Sequence, residues 1–128
     1  NAHFVSKRTD EDGMWRTAEA HAAREIISAV GRAHPNALVI FGGDLNDTPD
    51  SDTIHTLEQG GKLQRVAAEL GENAGTHLYN EKLQALDHIY LVNSGSGRYV
   101  SGSAQVIRTG TRGLAGSDHA ALIAEFEF

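Results

Sequence analysis

Asp44 and Asn46 stand two residues apart in the run Phe41-Gly42-Gly43-Asp44-Leu45-Asn46-Asp47-Thr48-Pro49, directly after the apolar stretch Leu38–Phe41. Residues i and i+2 of an extended chain point to the same side, so this carboxylate and carboxamide face one reacting group as a strand runs into its loop. Gly42 and Gly43 let other backbone approach closely there. A phosphate ester suits such a place. Asp and Asn after a strand are also ordinary turn formers, so the pair taken alone reads more readily as a turn.

Three other segments change that balance. The chain opens with Asn1-Ala2-His3, carries Leu86-Asp87-His88-Ile89-Tyr90-Leu91, and nears its end with Gly116-Ser117-Asp118-His119 before an apolar stretch. All four segments set Asp, Asn or His at the end of a strand. In this order they resemble the last half of the endonuclease/exonuclease/phosphatase superfamily, metal-dependent phosphoesterases that include deoxyribonuclease I, the abasic-site endonucleases, sphingomyelinases and inositol polyphosphate phosphatases. The resemblance spans essentially the whole chain.

Phosphate-ester hydrolysis needs an oriented water, neutralisation of the phosphoryl oxygens and help for the leaving oxygen. The resemblance distributes these tasks over named residues. Asp44 orients or deprotonates the attacking water, and Asn46 donates its amide to the developing negative charge. Asp87 supports the imidazole of His119, fixing its tautomer and leaving the second nitrogen for phosphate or water. His3 contacts a phosphoryl oxygen, with Asn1 supporting it. Asp118 is a direct or water-bridged ligand to the metal, Mg2+ or Mn2+. The stretch His3-Phe4-Val5-Ser6-Lys7 is similar to the His-Phe-x-Ser-Lys stretch of bacterial extracellular nucleases, which gives Lys7 a substrate phosphate to meet; a loop lysine is usually only solvated. Arg16 also matches a common family position, and a structural ion pair explains it equally well. Thr76–Asn80 is loosely similar to the Thr-Tyr segment that precedes the Asp motif.

The elements that must position these groups are read from periodicity. Residues 4–13 are expected to form a loop. From Met14 to Ala33 the apolar positions Trp15, Ala18, Ala22, Ile26, Ala29 and Val30 recur at helical spacing, which predicts a helix burying that stripe. Pro35 ends it. Leu38–Phe41 reads as a strand covered on both faces. Ser51–Gln59 reads as a short helix capped by Ser51 or Asp50 and stopped by Gly60-Gly61, and Leu63–Leu70 as a helical turn or two. Thr76–Tyr79, Asp87–Val92, Ala104–Arg108 and Ala120–Phe128 are the later strands. In the last, Leu122, Ala124, Phe126 and Phe128 alternate with Ile123, Glu125 and Glu127, one apolar face against one that turns charged. Alternation also sends His88 to the face opposite Asp87, where a packing role suits it. His21, His34 and His55 read as surface residues, and His77 stands between the two cases.

These elements give an α/β domain. By the resemblance it is half of a four-layered α/β/β/α sandwich: one mostly antiparallel or mixed sheet with a helical layer on one face. Residues 1–128 are then the C-terminal half, and the other half supplies a metal-binding Glu and an Asn. A bare sheet face is an interaction surface, so the expected partner is that half or a second copy of the chain. A phosphate ester, DNA or RNA among the candidates, is the expected substrate. The half alone is expected to be catalytically silent, since magnesium is held by few carboxylates and loses much with each.

Composition limits the alternatives. No cysteine is present, which excludes disulfides, thiolate catalysis and zinc–thiolate sites while leaving the compartment undecided. No apolar run approaches the length of a membrane helix. A formal net charge of −6 argues against a generally basic nucleic-acid platform; a local patch or bound cations still allow a nuclease. Three readings stay open: half of a metal-dependent phosphoesterase of nuclease, phosphatase or lipid-diesterase type, a non-catalytic relative that binds a phosphorylated partner, and an interaction domain with accidental motifs.

Overall fold

The computed structural model describes residues 1–111 and 113–128. The chain opens with β1 (Ala2–His3), crosses over through α1 (Met14–Ala33) and returns parallel to β1 as β2 (Ile40–Asp44). Gly43 makes that pairing possible: its φ is +146°, and a Cβ there would lie 1.9 Å from the Ala2 carbonyl oxygen. Helix α2 (Asp52–Glu58) follows, with Ser51 accepting from the Ile54 N–H at its start. Then come β3 (Leu63–Arg65), a 3-10 segment (Val66–Ala74) kinked at Gly71, and the hairpin β4 (His77–Tyr79) and β5 (Lys82–Gln84). The remaining strands are β6 (Asp87–Val92), β7 (Arg98–Tyr99), β8 (Gln105–Ile107), β9 (Ala121–Ile123) and β10 (Phe126–Glu127).

Four strands form one mixed sheet in the order β1-β2-β6-β3, with β2, β6 and β3 antiparallel in turn. The pairs β4–β5, β8–β9 and β7–β10 stand apart from it. Alternation divides the central strands between two faces. Phe41, Tyr90 and Val92 point to one side and join Phe4, Ala20, Leu45, Ile54, Leu57 and Leu63 in the core beneath the helices. Asp44 and Asp87 point to the other. The α/β class read from the sequence holds.

Several elements differ from the expectation. Helix α1 has the expected ends but the opposite face: Trp15 is 62% and Ile26 63% exposed, while Arg16, Ala20, Ser28 and Gly31 are buried. Small residues explain the phase. A Cβ at Gly31 would meet Ser94 Oγ at 2.3 Å and Val92 Cγ1 at 2.7 Å, so the helix lies too close to the sheet for a large apolar stripe. Leu63–Leu70 is not helical throughout; its first residues pair with β6 as an edge strand. The strand expected over Leu38–Phe41 runs instead from Ile40 to Asp44, and Ile40 is exposed rather than covered. Ala120–Phe128 breaks into β9 and β10, which pair with different strands. Ser103 Oγ accepts from the Glu125 N–H at that break. Phe128 is 82% exposed, against its place in the alternation.

Candidate active site

Strand register brings the first three groups together. In β1–β2 pairing His3 lies opposite Asp44, and in β2–β6 pairing Asp44 lies opposite Asp87. Directly opposed residues share a face, so His3, Asp44 and Asp87 form a row across three strand ends on the side away from the helices. His3 Nε2 is 3.5 Å from Asp44 Oδ2. Two carboxylates facing one another across a ladder repel, so a cation or a protonated base belongs between them.

His119 is placed there. It pairs with His77 through an isolated antiparallel bridge, and the Ala120 N–H donates to the Thr76 carbonyl at 2.7 Å. The turn before it closes tightly: Leu114 N–H donates to the His119 carbonyl, and a Cβ on Gly113 would lie 2.4 Å from that oxygen. His119 Nδ1 is 2.7 Å from Asp87 Oδ2, and its Nε2 is 3.8 Å from Asp44 Oδ2. Burial works against charge on this ring, but the Asp87 hydrogen bond and charge, with Asp44 and Asp118 behind them, outweigh it and raise the pKa above its ordinary value. Thr76, fully buried, accepts the Leu86 and Asp87 N–H groups on its Oγ1 and so fixes the backbone from which the Asp87 carboxylate projects.

Asn46 is held by two hydrogen bonds in a left-handed turn. Its backbone lies in the left-handed region at φ 52°, its N–H donates to Asp44 Oδ1 at 2.9 Å, and its Nδ2 donates to the Phe4 carbonyl at 2.9 Å. An amide nitrogen has two hydrogens, so one donor remains for a ligand. A cleft of about 560 Å³ opens beside it, bounded by Lys7, Asn46, His77, Gln84, Asp118 and His119. A larger groove lined by Leu70, Leu78, Leu83 and Val106 contains none of the site residues.

Other residues singled out in the sequence lie at the edge of this array or outside it. Asn1 is exposed ahead of β1. Lys7 borders the cleft, but its Nζ is 3.0 Å from Asp47 Oδ1. Asp118 is 79% exposed, with Oδ2 3.6 Å from His77 Nε2. Arg16 is an ion-pair residue, its Nε 3.0 Å from Asp47 Oδ2. His88 lies on the helix side, buried, with Nε2 donating to the Asp47 carbonyl; burial first of all lowers its pKa and keeps it neutral.

Asp47 is the residue that sequence reading passed over. It follows Asn46 directly and is buried, and its carboxylate accepts from Arg16, Thr53 and Lys7. Burial pushes that carboxyl up, yet Lys7, Thr53 and Arg16 together hold it below the usual carboxylate range. The only sequence signal was a second acid in the run Asp44-Leu45-Asn46-Asp47, which a turn explains as well.

Carboxylate oxygens from Asp44 and Asp87 and a nitrogen of His119 lie within 4.8 Å of one another, as do donor atoms of His77, Asp118 and His119. Hard divalent cations take oxygen ligands and usually only one or two protein carboxylates. The opposed carboxylates and the exposed Asp118 fit that requirement.

The family model for the endonuclease/exonuclease/phosphatase family matches residues 7–119. That stretch contains Asp44, Asn46, Asp87, Asp118 and His119 and leaves out Asn1 and His3. Comparison with curated proteins finds no match.

Proposed function

The chain belongs to the endonuclease/exonuclease/phosphatase family, generally hydrolases that are typically dependent on a divalent metal, and from that premise we propose that its site hydrolyses phosphodiesters, nucleic acid among them, by in-line attack of an activated water. The observation that carries this reading is the Asp87–His119–Asp44 array at the open strand ends, with Asn46 fixed beside it. A module that only bound phosphate would need no water-activating carboxylate next to a supported imidazole.

Asp44 accepts a proton from the attacking water. Asn46 directs its remaining amide hydrogen at a non-bridging phosphoryl oxygen, and His3 offers a second donor to the same group. Asp87 holds the Nδ1–H of His119, so the Nε2 edge faces the substrate. A protonated His119 donates from Nε2 to the phosphoryl or leaving oxygen. Asp118 would hold Mg2+ or Mn2+, which when bound would neutralise charge on the phosphate. Lys7 lies at the cleft edge, where it can exchange Asp47 for a substrate phosphate. The chain is one half of a two-half domain and close to silent alone, its remaining metal ligands being supplied through the sheet face that carries the exposed Ile40.

The test is Mg2+- and Mn2+-dependent hydrolysis of DNA, RNA and an activated phosphodiester, by the chain alone and by a domain containing both halves, each with His119→Ala alongside. Expected is hydrolysis by the two-half domain that His119→Ala abolishes. An unchanged rate in His119→Ala would overturn the proposal, and full activity in the chain alone would overturn its half-site clause.

A further inference from the structure

We infer that His77, Asp118 and His119 form a second metal site, nitrogen-rich and suited to Zn2+ or another borderline transition ion in place of magnesium. The inference rests on the geometry of this cluster and not on the hydrolase reading.

Cross-strand pairing builds the site. His77 and His119 are direct partners in an antiparallel bridge, which sends both rings to one face. Their centroids are 4.7 Å apart at 41°, so the rings converge without stacking flat. Asp118, next to His119 in sequence, brings Oδ2 to 3.6 Å from His77 Nε2, too long for a hydrogen bond. One donor atom from each of the three lies within 4.8 Å of the others. Zinc binds imidazole nitrogen at about 2.0–2.1 Å and carboxylate oxygen at about 2.0–2.2 Å. Closing to those lengths asks mainly for movement of Asp118, whose side chain is exposed and free to turn.

Two observations set this cluster apart from a chance grouping. Neither ring nitrogen of His77 is engaged among the described residues: Nδ1 is shielded from solvent without a hydrogen-bond partner, and Nε2, the nitrogen facing Asp118, stops 3.6 Å from its carboxylate. His119 is already tuned as a ligand: Asp87 occupies Nδ1, which leaves Nε2 free and makes it more basic, the arrangement by which carboxylates orient metal-binding histidines. Imidazole donors favour zinc, nickel, copper and iron over magnesium. Three protein ligands leave a position open for water. If the hydrolase reading holds, zinc bound here takes His119 from substrate and Asp118 from magnesium, and so inhibits.

The experiment is a titration of the chain with Zn2+ in competition with a chromophoric chelator, and with Co2+ followed by its visible absorption. We expect one equivalent bound, with affinity falling at least about tenfold, the usual effect of losing a supporting or direct metal contact, in His77→Ala and in His119→Ala. His77→Phe, which keeps a ring in place, should behave as His77→Ala does. His21→Ala, altering an exposed helical histidine, should bind as the unaltered chain does, and so should Asn46→Ala, which tests the hydrolase reading separately. Equal affinity in His77→Phe and the unaltered chain, or no uptake of either ion by a folded sample, would overturn the inference.

Discussion

Two clusters of charge lie on opposite sides of the Asp44–Asp47 turn and are built in contrary ways. On the helix side Asp47 is buried and well partnered: Arg16, Thr53, Lys7 and the Thr48 N–H meet its carboxylate, and His88 donates to its carbonyl. Arg16 in turn donates Nη1 to the Asp10 carbonyl at 2.7 Å, while the Asp10 carboxylate takes the Trp15 and Arg16 N–H groups at the start of α1. On the open face Asp44 and Asp87 stand opposite each other with like charge, and one imidazole lies between them. The first cluster matches each charge with a partner and so fixes the loop. The second leaves charge in excess at a cleft, where a cation and an ester can supply what is missing.

Removing one member should therefore act on different quantities in the two clusters. Arg16→Met leaves the Asp47 carboxylate buried without its guanidinium, and breaking such a pair costs about 3–5 kcal/mol; urea denaturation should show that loss. Asp44→Asn, which relieves a like-charge pair, should stay within about 0.5 kcal/mol of the unaltered stability. Equal losses in the two variants would erase the contrast.

Under the proposed function, Asn46→Ala removes a donor to transition-state charge. In the two-half domain kcat should fall about 100- to 1000-fold, alongside a stability loss of about 1–3 kcal/mol, since alanine is strained in the left-handed region and the Phe4 carbonyl loses its donor. A rise in KM at constant kcat would instead make Asn46 a ground-state binding residue.

Asp87→Asn should lower the His119 pKa, read from the imidazole proton shifts in an NMR titration, because its hydrogen bond and charge are what raise it. The His88 titration should stay depressed, since burial is its main cause.

The smallest effect is on the pH dependence of stability. His119, with its pKa raised in the fold, contributes stability that is complete below about pH 6.5 and fades as pH climbs through the folded pKa. His88, with its pKa lowered, contributes fully above about pH 6.5 and loses its contribution as pH falls toward the folded value. Comparing His119→Gln and His88→Gln with the unaltered chain should show losses on opposite limbs of the profile. Losses on the same limb would mean that one ring is not in the environment described.

How much was legible in the sequence differs by element. Strand β6 and helix α1 have the ends that periodicity and proline gave them, since spacing and chain stops are local properties. The buried face of α1 was not legible. Its apolar stripe suggested one side, whereas a face of Arg16, Ala20, Ser28 and Gly31 packs inward because small residues allow close approach and an ion pair satisfies the arginine. Residues 120–128 look like one long strand in their alternation, yet they divide between β8 and β7, a choice made by partners distant in sequence.

The sequence by itself determined which chemical groups are present, their order, and which residues of a strand share a side, because residue type and a period of two are written in the chain. Family membership also follows from that order. Tertiary structure decided what meets what. The register of three strands lines up His3, Asp44 and Asp87, a bridge sets His77 against His119, and the depth of Asp47 separates a buried, paired acid from the open-face acid three residues earlier. Distance, burial and pairing are properties of segments far apart along the chain, so only the folded arrangement fixes them.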